Sequence, residues 1–238
     1  MEEEKLIVSN LPIHRRVWGI FLSPKATFES IAQSISTLDL IVPALILLFL
    51  SIGSQTLVTP IVIHEQQQRV LQREDIPDEQ KDIILERMEG AIGSPVRYLI
   101  GGATVIIWYA LIGGIVMFCG AFILGGQASY RDTLTVVLYA QLVGIVEAAL
   151  KIPLTVQLAT SSLKTGLVIL LPGSMEGSLI YRFFQRLDFF AMWKIYLVAL
   201  GVAAIYKVEA KRTRIVLFGS WVLAMFLLAW LLDGRRPF

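Results

Sequence analysis

Hydrophobic residues along this chain gather into five long runs, about Leu40 to Ile63, Tyr98 to Leu124, Thr133 to Leu150, Phe189 to Tyr206 and Thr213 to Leu232. Each matches the roughly 20 apolar residues that a helix needs to cross a hydrocarbon layer about 30 Å thick. The runs lack the two-residue alternation of barrel strands. A backbone in lipid must satisfy its polar groups internally, so each run predicts a helix. The expected fold class is all-α, an integral membrane five-helix bundle with an N-terminal interfacial amphipathic helix. The expected organisation is an N-terminal cytoplasmic segment over 1–39, a five-span membrane domain over 40–232 and a short tail over 233–238. An odd number of crossings leaves the two ends on opposite sides.

Polar breaks between the runs add detail. His64 to Arg97 reads as two short helices, the second with Asp78 as N-cap after Pro77, Gly90 at its end and an apolar stripe at Ile84 and Met88. Ala159 to Asp188 contains "LVILLPGS", too short to span and placed to make a shallow re-entrant or interfacial turn at Pro172 and Gly173. Ahead of span one, "VWGIFLSPKATFESIA" offers Ser23 as N-cap and Pro24 at the first helical position, where a missing N–H costs nothing. Phe28, Ile31, Ala32 and Ile35 follow at three- and four-residue intervals, with Lys25, Glu29 and Gln33 on the other side. Trp18, Phe21, Pro24, Phe28 and Ile31 are therefore expected at the membrane surface, the alternative being a helix that caps the cytoplasmic end of the bundle. Asp188 and Asp39 read as N-caps of spans four and one. Trp193, Trp221 and Trp230 read as belt or packing residues, and Lys194 as a snorkelling one.

Composition agrees with the pattern. Hydrophobic residues make up 55% of the chain, charged residues only 17%, and the mean hydropathy of +0.68 exceeds what a soluble core needs. A net charge of +2 without interleaved basic and aromatic residues gives no nucleic-acid surface. The opening "MEEEK" is acidic where a secretory signal would be basic, so the first span is expected to act as its own uncleaved insertion signal. Basic residues divide almost evenly between the two sides and leave the orientation open.

Three stretches carry a resemblance. "FLSPKATFESIA" resembles the opening signature of the Yip1 domain family, an apolar or aromatic lead, then Pro, then Phe and Ile on a short helix before span one. "GGQASYRDTLTVVLYAQLVGI" is similar to the family's pattern at the entry to span three, and "LDFFAMWKIYLVALGV" to its pattern at span four. The resemblance implies a five-span protein of the cell membrane, with a cytoplasmic N-terminus and the C-terminus across the membrane. For eukaryotic relatives it also implies binding of Rab-type GTPases in vesicle traffic between ER and Golgi. Their long Pro/Gly/Gln-rich N-terminal region has no counterpart here, so the chain looks like a compact prokaryotic-type member, for which Rab-type GTPase binding is not carried over.

Small residues predict where helices meet, because in lipid close backbone approach is what holds them together. On span two, Ala103, Ala110, Gly114, Ala121 and Gly125 fall on one stripe, with Gly102, Gly113 and Gly120 alongside. On span three, Ala140, Gly144 and Ala148 repeat the spacing. Glu147 projects near that stripe, and a carboxylate inside a span calls for a partner. Lys151 one turn on would supply it, in a pair that only places the helix, with Pro153 marking the helix end; Gln55 and Ser51 on span one are further polar candidates.

Catalytic patterns are missing. "HEQQQ" lacks the second histidine of a zinc helix, and there is neither a Gly-x-Ser-x-Gly elbow nor a Gly-Lys-Ser/Thr phosphate loop. No enzyme activity, cofactor or metal is expected. The expected role is an organiser or adaptor binding the lipid bilayer and other membrane proteins, as a homo-oligomer or with partners. The alternative is a small transporter or channel using Glu147.

Overall fold

Long apolar runs separated by helix-breaking turns give a chain whose regular structure, among the described residues, is helical apart from one isolated antiparallel bridge between Gly166 and Asp188. The computed structural model describes residues 11–90, 92–161, 163 and 166–233; the acidic start, Met1 to Lys5, and the tail beyond Asp233 lie outside them. Two short helices come first, α1 (Ile13–Leu22) and α2 (Pro24–Gln33), with Ser23 between them and Pro24 at the first position of α2. The Ser23 hydroxyl makes no capping bond; its carbonyl instead accepts from Thr27 Oγ1 at 3.0 Å.

The next helix, α3 (Thr37–Leu71), has 35 residues. At 1.5 Å per residue it is about 52 Å long and outruns the hydrocarbon layer. The first of the two short helices expected after His64 is thus the continuation of span one, because "HEQQQRVL" consists mainly of good helix formers with no Gly or Pro. The second exists as α4 (Asp78–Gly90). Its first free N–H groups, on Gln80 and Lys81, bond to the Pro77 carbonyl at 2.9 and 3.0 Å, so Pro77 holds the cap position and Asp78 begins the helix, paired with Lys81 at 3.1 Å.

Span two is α5 (Pro95–Phe118), which widens into a π turn at Cys119–Ile123 before Gly125 leaves it at φ +73°. Span three is α6 (Tyr130–Gln141), capped by Ser129 Oγ accepting from Asp132 N at 3.1 Å, followed after a turn at Leu142 by α7 (Val143–Leu158). Pro153 lies inside α7 and does not end it; the helix runs on to Leu158, a tolerance shared by membrane helices, whose neighbours compensate the lost bond. Short 3₁₀ turns at Leu167–Leu170 and Gly173–Met175 lead to α8 (Leu179–Arg186), α9 (Phe189–Tyr206) and α10 (Ala210–Asp233). Asp188 caps α9, its Oδ1 accepting from Phe190 N at 2.7 Å and Ala191 N at 3.4 Å. Among the described residues, five segments are long and apolar enough to cross a membrane: Thr37–Leu71, Pro95–Ile123, Tyr130–Leu158, Phe189–Tyr206 and Ala210–Leu231. The chain is a multi-pass membrane protein.

It divides into two compact units. One comprises Met1–Ala44, Tyr109–Gly144 and Lys164–Phe238, and its core is built from α2, α6 and α9. Gly201 on α9 is the point of closest approach: a methyl group there would strike Val136 of α6 and come within 2.9 Å of the Phe28 ring of α2. Phe28 and Ile31 have no solvent exposure. Phe28 and Ile31 thus face protein and not the membrane surface, the placement named in the alternative of a helix that caps the bundle, because a glycine on span four opens a seat for Phe28. In the same unit Leu167 N donates to Leu187 O at 2.8 Å, and the carbonyls of Phe184, Gln185 and Leu187 crowd Gly166, so a side chain there would have no room.

The other unit comprises Leu45–Trp108 and Ile145–Leu163. Here α3 meets α5 through glycine: Gly102 faces Leu48, and Gly101 leaves room for the Gln55 amide. Near the end of α3, Glu65 accepts from Thr160 Oγ1 at 2.8 Å, Ser161 N at 2.9 Å and the Ser161 hydroxyl, fastening the chain beyond α7.

Candidate functional site

On α1, Ile13, Arg16 and Ile20 recur at three- and four-residue spacing and share one face. Arg16 and Ile20 are buried, Arg16 retaining 5% of its surface, and charged residues are almost never so enclosed without a partner. The partner is Asp39 on the first turn of α3, fully buried, with Arg16 Nη1 donating to its Oδ2 at 2.7 Å. Arg16 Nη1 also donates to the Ser34 carbonyl at 2.9 Å, Nη2 to Ser34 Oγ at 2.8 Å and Nε to the Leu11 carbonyl at 2.9 Å. Asp39 Oδ2 accepts from Ser36 N at 2.9 Å and Ser36 Oγ at 2.8 Å, while Oδ1 accepts from Tyr139 Oη of α6 at 2.8 Å. Asp39 N donates in return to Ser36 Oγ at 3.3 Å. The expected N-cap at Asp39 is thereby corrected. Ser36 is the cap, and Asp39 is the third helical residue of a reciprocal capping box.

A cavity of about 330 Å³ opens beside this network. Arg16, Ser34 and Asp39 line it with polar groups, and Ile13, Ile35 and Leu38 with apolar ones. The set provides donors and acceptors at fixed positions, an arrangement with the chemistry to hold a polar group. Among the described residues, no three His, Cys, Asp and Glu side chains lie together so as to hold a metal ion.

Sequence reasoning passed over this site, although two signals were present. Ser36-x-x-Asp39 before an apolar run is a capping-box spacing, and Arg16 shares its helical face with two isoleucines. Tyr139 carried no signal, since its hydroxyl is reached only when residues a hundred positions apart fold together.

The residues that were singled out fare differently. Glu147 pairs with Lys151 at 2.6 Å, their side chains 23% and 26% exposed. Gln55 Nε2 donates to Ser51 Oγ at 3.2 Å, within its own helix. Of the expected interfacial set, Trp18 is 68% exposed; Phe21 is half-buried against the edge of Trp193 on α9, and Pro24 is half-buried. On α5 the packing face is displaced from the expected stripe. Ala103, Gly114 and Gly125 are exposed, Ala110 and Ala121 are half-buried, and a methyl group added at Gly114 or Gly125 would meet nothing within 4 Å. The neighbouring set does the packing: Gly102 against Leu48, Gly113 against Leu134 and Gly120 against the Tyr206 ring. A methyl group would strike the Tyr206 ring at Gly120 and press on Leu48 and Leu134 at Gly102 and Gly113, and the π turn after Phe118 rotates the last part of the stripe. On span three, Ala140 is buried and Gly144 half-buried.

A family model, the Yip1 domain, matches residues 18–231. The chain belongs to the Yip1 domain family. No curated protein and no solved structure matches it. In this Yip1 domain the three stretches that carried the resemblance supply the core just described: Phe28 from the first, Val136 and Tyr139 from the second and Gly201 from the third. Arg16 precedes the matched region by two residues, and Asp39 and Tyr139 lie within it.

Proposed function

We propose that this Yip1-domain protein works by binding rather than catalysis, as an organiser or adaptor of other membrane proteins or lipids in the cell membrane, with its N-terminus in the cytoplasm. The observation that carries the reading is the outward face of α5, where Ala103 and Gly114 are exposed and the space above Gly114 is open. A bare glycine on a membrane helix lets a second helix approach closely, and apolar side chains around it, Ile107, Leu111 and Ile115, supply contact area. The pairing of Glu147 with Lys151 at 2.6 Å supports a positioning role for that carboxylate.

The test is cross-linking in native membranes through Ile107→Cys on the same face, with Gly114→Leu as the blocking second substitution. A cross-linked dimer or adduct that adding Gly114→Leu abolishes is the expected result; monomer alone in both overturns the reading. Solute flux through liposomes that is lost in Glu147→Gln would replace it with a transporter. Tags at the two ends that label from the same side would overturn the orientation.

A further inference from the structure

We infer that the cavity beside Arg16 is a binding site for a phosphate ester, and that its occupant is a phospholipid headgroup. The polar wall keeps two unspent donors among the described residues. A guanidinium carries five N–H groups. Four of those on Arg16 go to the Leu11 and Ser34 carbonyls, Asp39 Oδ2 and Ser34 Oγ, which leaves one on Nη2. Ser34 Oγ accepts that last bond, so its own proton remains to be donated. Asp39 is saturated by comparison, three bonds ending on Oδ2 and one on Oδ1. A ligand entering here meets donors and needs acceptor oxygens.

Charge points the same way. Asp39 brings one negative charge to the start of α3, against Arg16 and a second guanidinium, Arg131, whose Nη2 donates to Thr37 Oγ1 at 2.9 Å on the same turn. The positive end of the α3 dipole adds to this balance. A phosphate group answers both the donors and the charge.

The remaining wall selects among phosphates. Ile13, Ile35 and Leu38 are hydrocarbon, and Leu38, 57% exposed, shares its helical face with Ile41, 44% exposed and one turn further along span one. The apolar wall therefore continues onto the surface that meets lipid tails. A volume of about 330 Å³ holds a glycerophosphate head and leaves the tails to run along Leu38 and Ile41. Inorganic phosphate would satisfy the donors and leave the apolar wall bare. The site rests on the lipid half of the adaptor reading and owes nothing to the outward face of α5, so failure of the Ile107 cross-link would leave it standing.

The experiment is titration of the purified full chain in detergent with dihexanoyl phosphatidylglycerol, with dihexanoylglycerol as the tail-matched probe lacking phosphate, and with inorganic phosphate. Native mass spectrometry counts the adducts and the thermal midpoint follows binding. The phospholipid should bind and raise the midpoint, while the other two probes do neither. Ile35→Trp fills the cavity without touching the Arg16–Asp39 pair and should abolish binding. Ser34→Asp keeps an acceptor for Arg16 Nη2, removes the hydroxyl donor and sets a negative charge in the cavity, and should weaken binding at least about tenfold. Both variants are first checked for a folded state without ligand; if Ile35→Trp misfolds, Ser34→Asp decides. Unchanged affinity in the folded variants, or equal binding of dihexanoylglycerol, overturns the site. Inorganic phosphate binding as tightly as the phospholipid overturns the lipid assignment.

Discussion

The Arg16–Asp39 and Glu147–Lys151 pairs are nearly equal in length, 2.7 and 2.6 Å, and differ in everything else. The first joins two helices across 23 residues, keeps 6% and 0% of its side-chain surface and recruits a hydroxyl from a third helix. The second joins residues four apart on one helix and keeps about a quarter of its surface. Distance alone therefore says little about what an ion pair contributes. Enclosure and the number of hydrogen bonds decide, since a buried charge robbed of its partner cannot turn to water. The local pair is partly exposed, and Lys151 has a long stem with which to reach polar surroundings.

The largest effect expected from breaking this contrast is at Asp39. Asp39→Ala leaves Arg16 buried and uncompensated and should cost about 3–5 kcal/mol, read as loss of folded protein in a detergent unfolding assay. The double variant Arg16→Met with Asp39→Leu removes both charges and should recover much of that loss; a double variant as unstable as the single would mean that the ionic bonds themselves, rather than their completeness, hold α1 to α3. Next comes Tyr139→Phe, which deletes one hydrogen bond to a charged acceptor and should cost about 1.5–3 kcal/mol in the same assay. Glu147→Gln should shift stability by less than about 1 kcal/mol, as an (i, i+4) pair contributes only a few tenths. A loss there as large as that at Asp39 would erase the distinction between the two pairs.

The smallest effect is at Asp75, an exposed residue in the connection before α4. Hydrogen bonds from Arg73 at 2.9 and 2.7 Å hold its carboxyl below the usual aspartate value. Any stability from this contact is present above the unfolded carboxylate pKa and fades as pH falls through the depressed one. Wild type and Asp75→Asn should accordingly give unfolding midpoints that converge on acidification, from a difference at neutral pH close to the limit of detection.

Much of this could be read directly from the residues. Hydrophobic run length sets the number of spans, and Asp188 caps its helix where the pattern put it. The Glu147–Lys151 pair was legible because both partners stand on one helix turn, a relation that sequence spacing states outright. Asp39 was half legible: its capping role belongs to the local "STLD" spacing, whereas its guanidinium partner lies beyond two intervening helix ends. Glu65 with Thr160 and Ser161 was not legible, its partners lying about 95 residues away.

What the sequence determined alone is therefore local: a helical membrane chain, with five candidate spans among the described residues, the cap at Asp188 and the Glu147–Lys151 pair, because run length, helical period and capping chemistry act within a few turns of one segment. Tertiary structure decided which face of each helix meets protein. It seated Phe28 against Gly201, displaced the packing of α5 onto Gly102, Gly113 and Gly120, and closed Arg16, Asp39 and Tyr139 into one buried network. Those outcomes depend on the shapes and unmet hydrogen bonds of residues from different helices, and the period of a single helix carries no information about them.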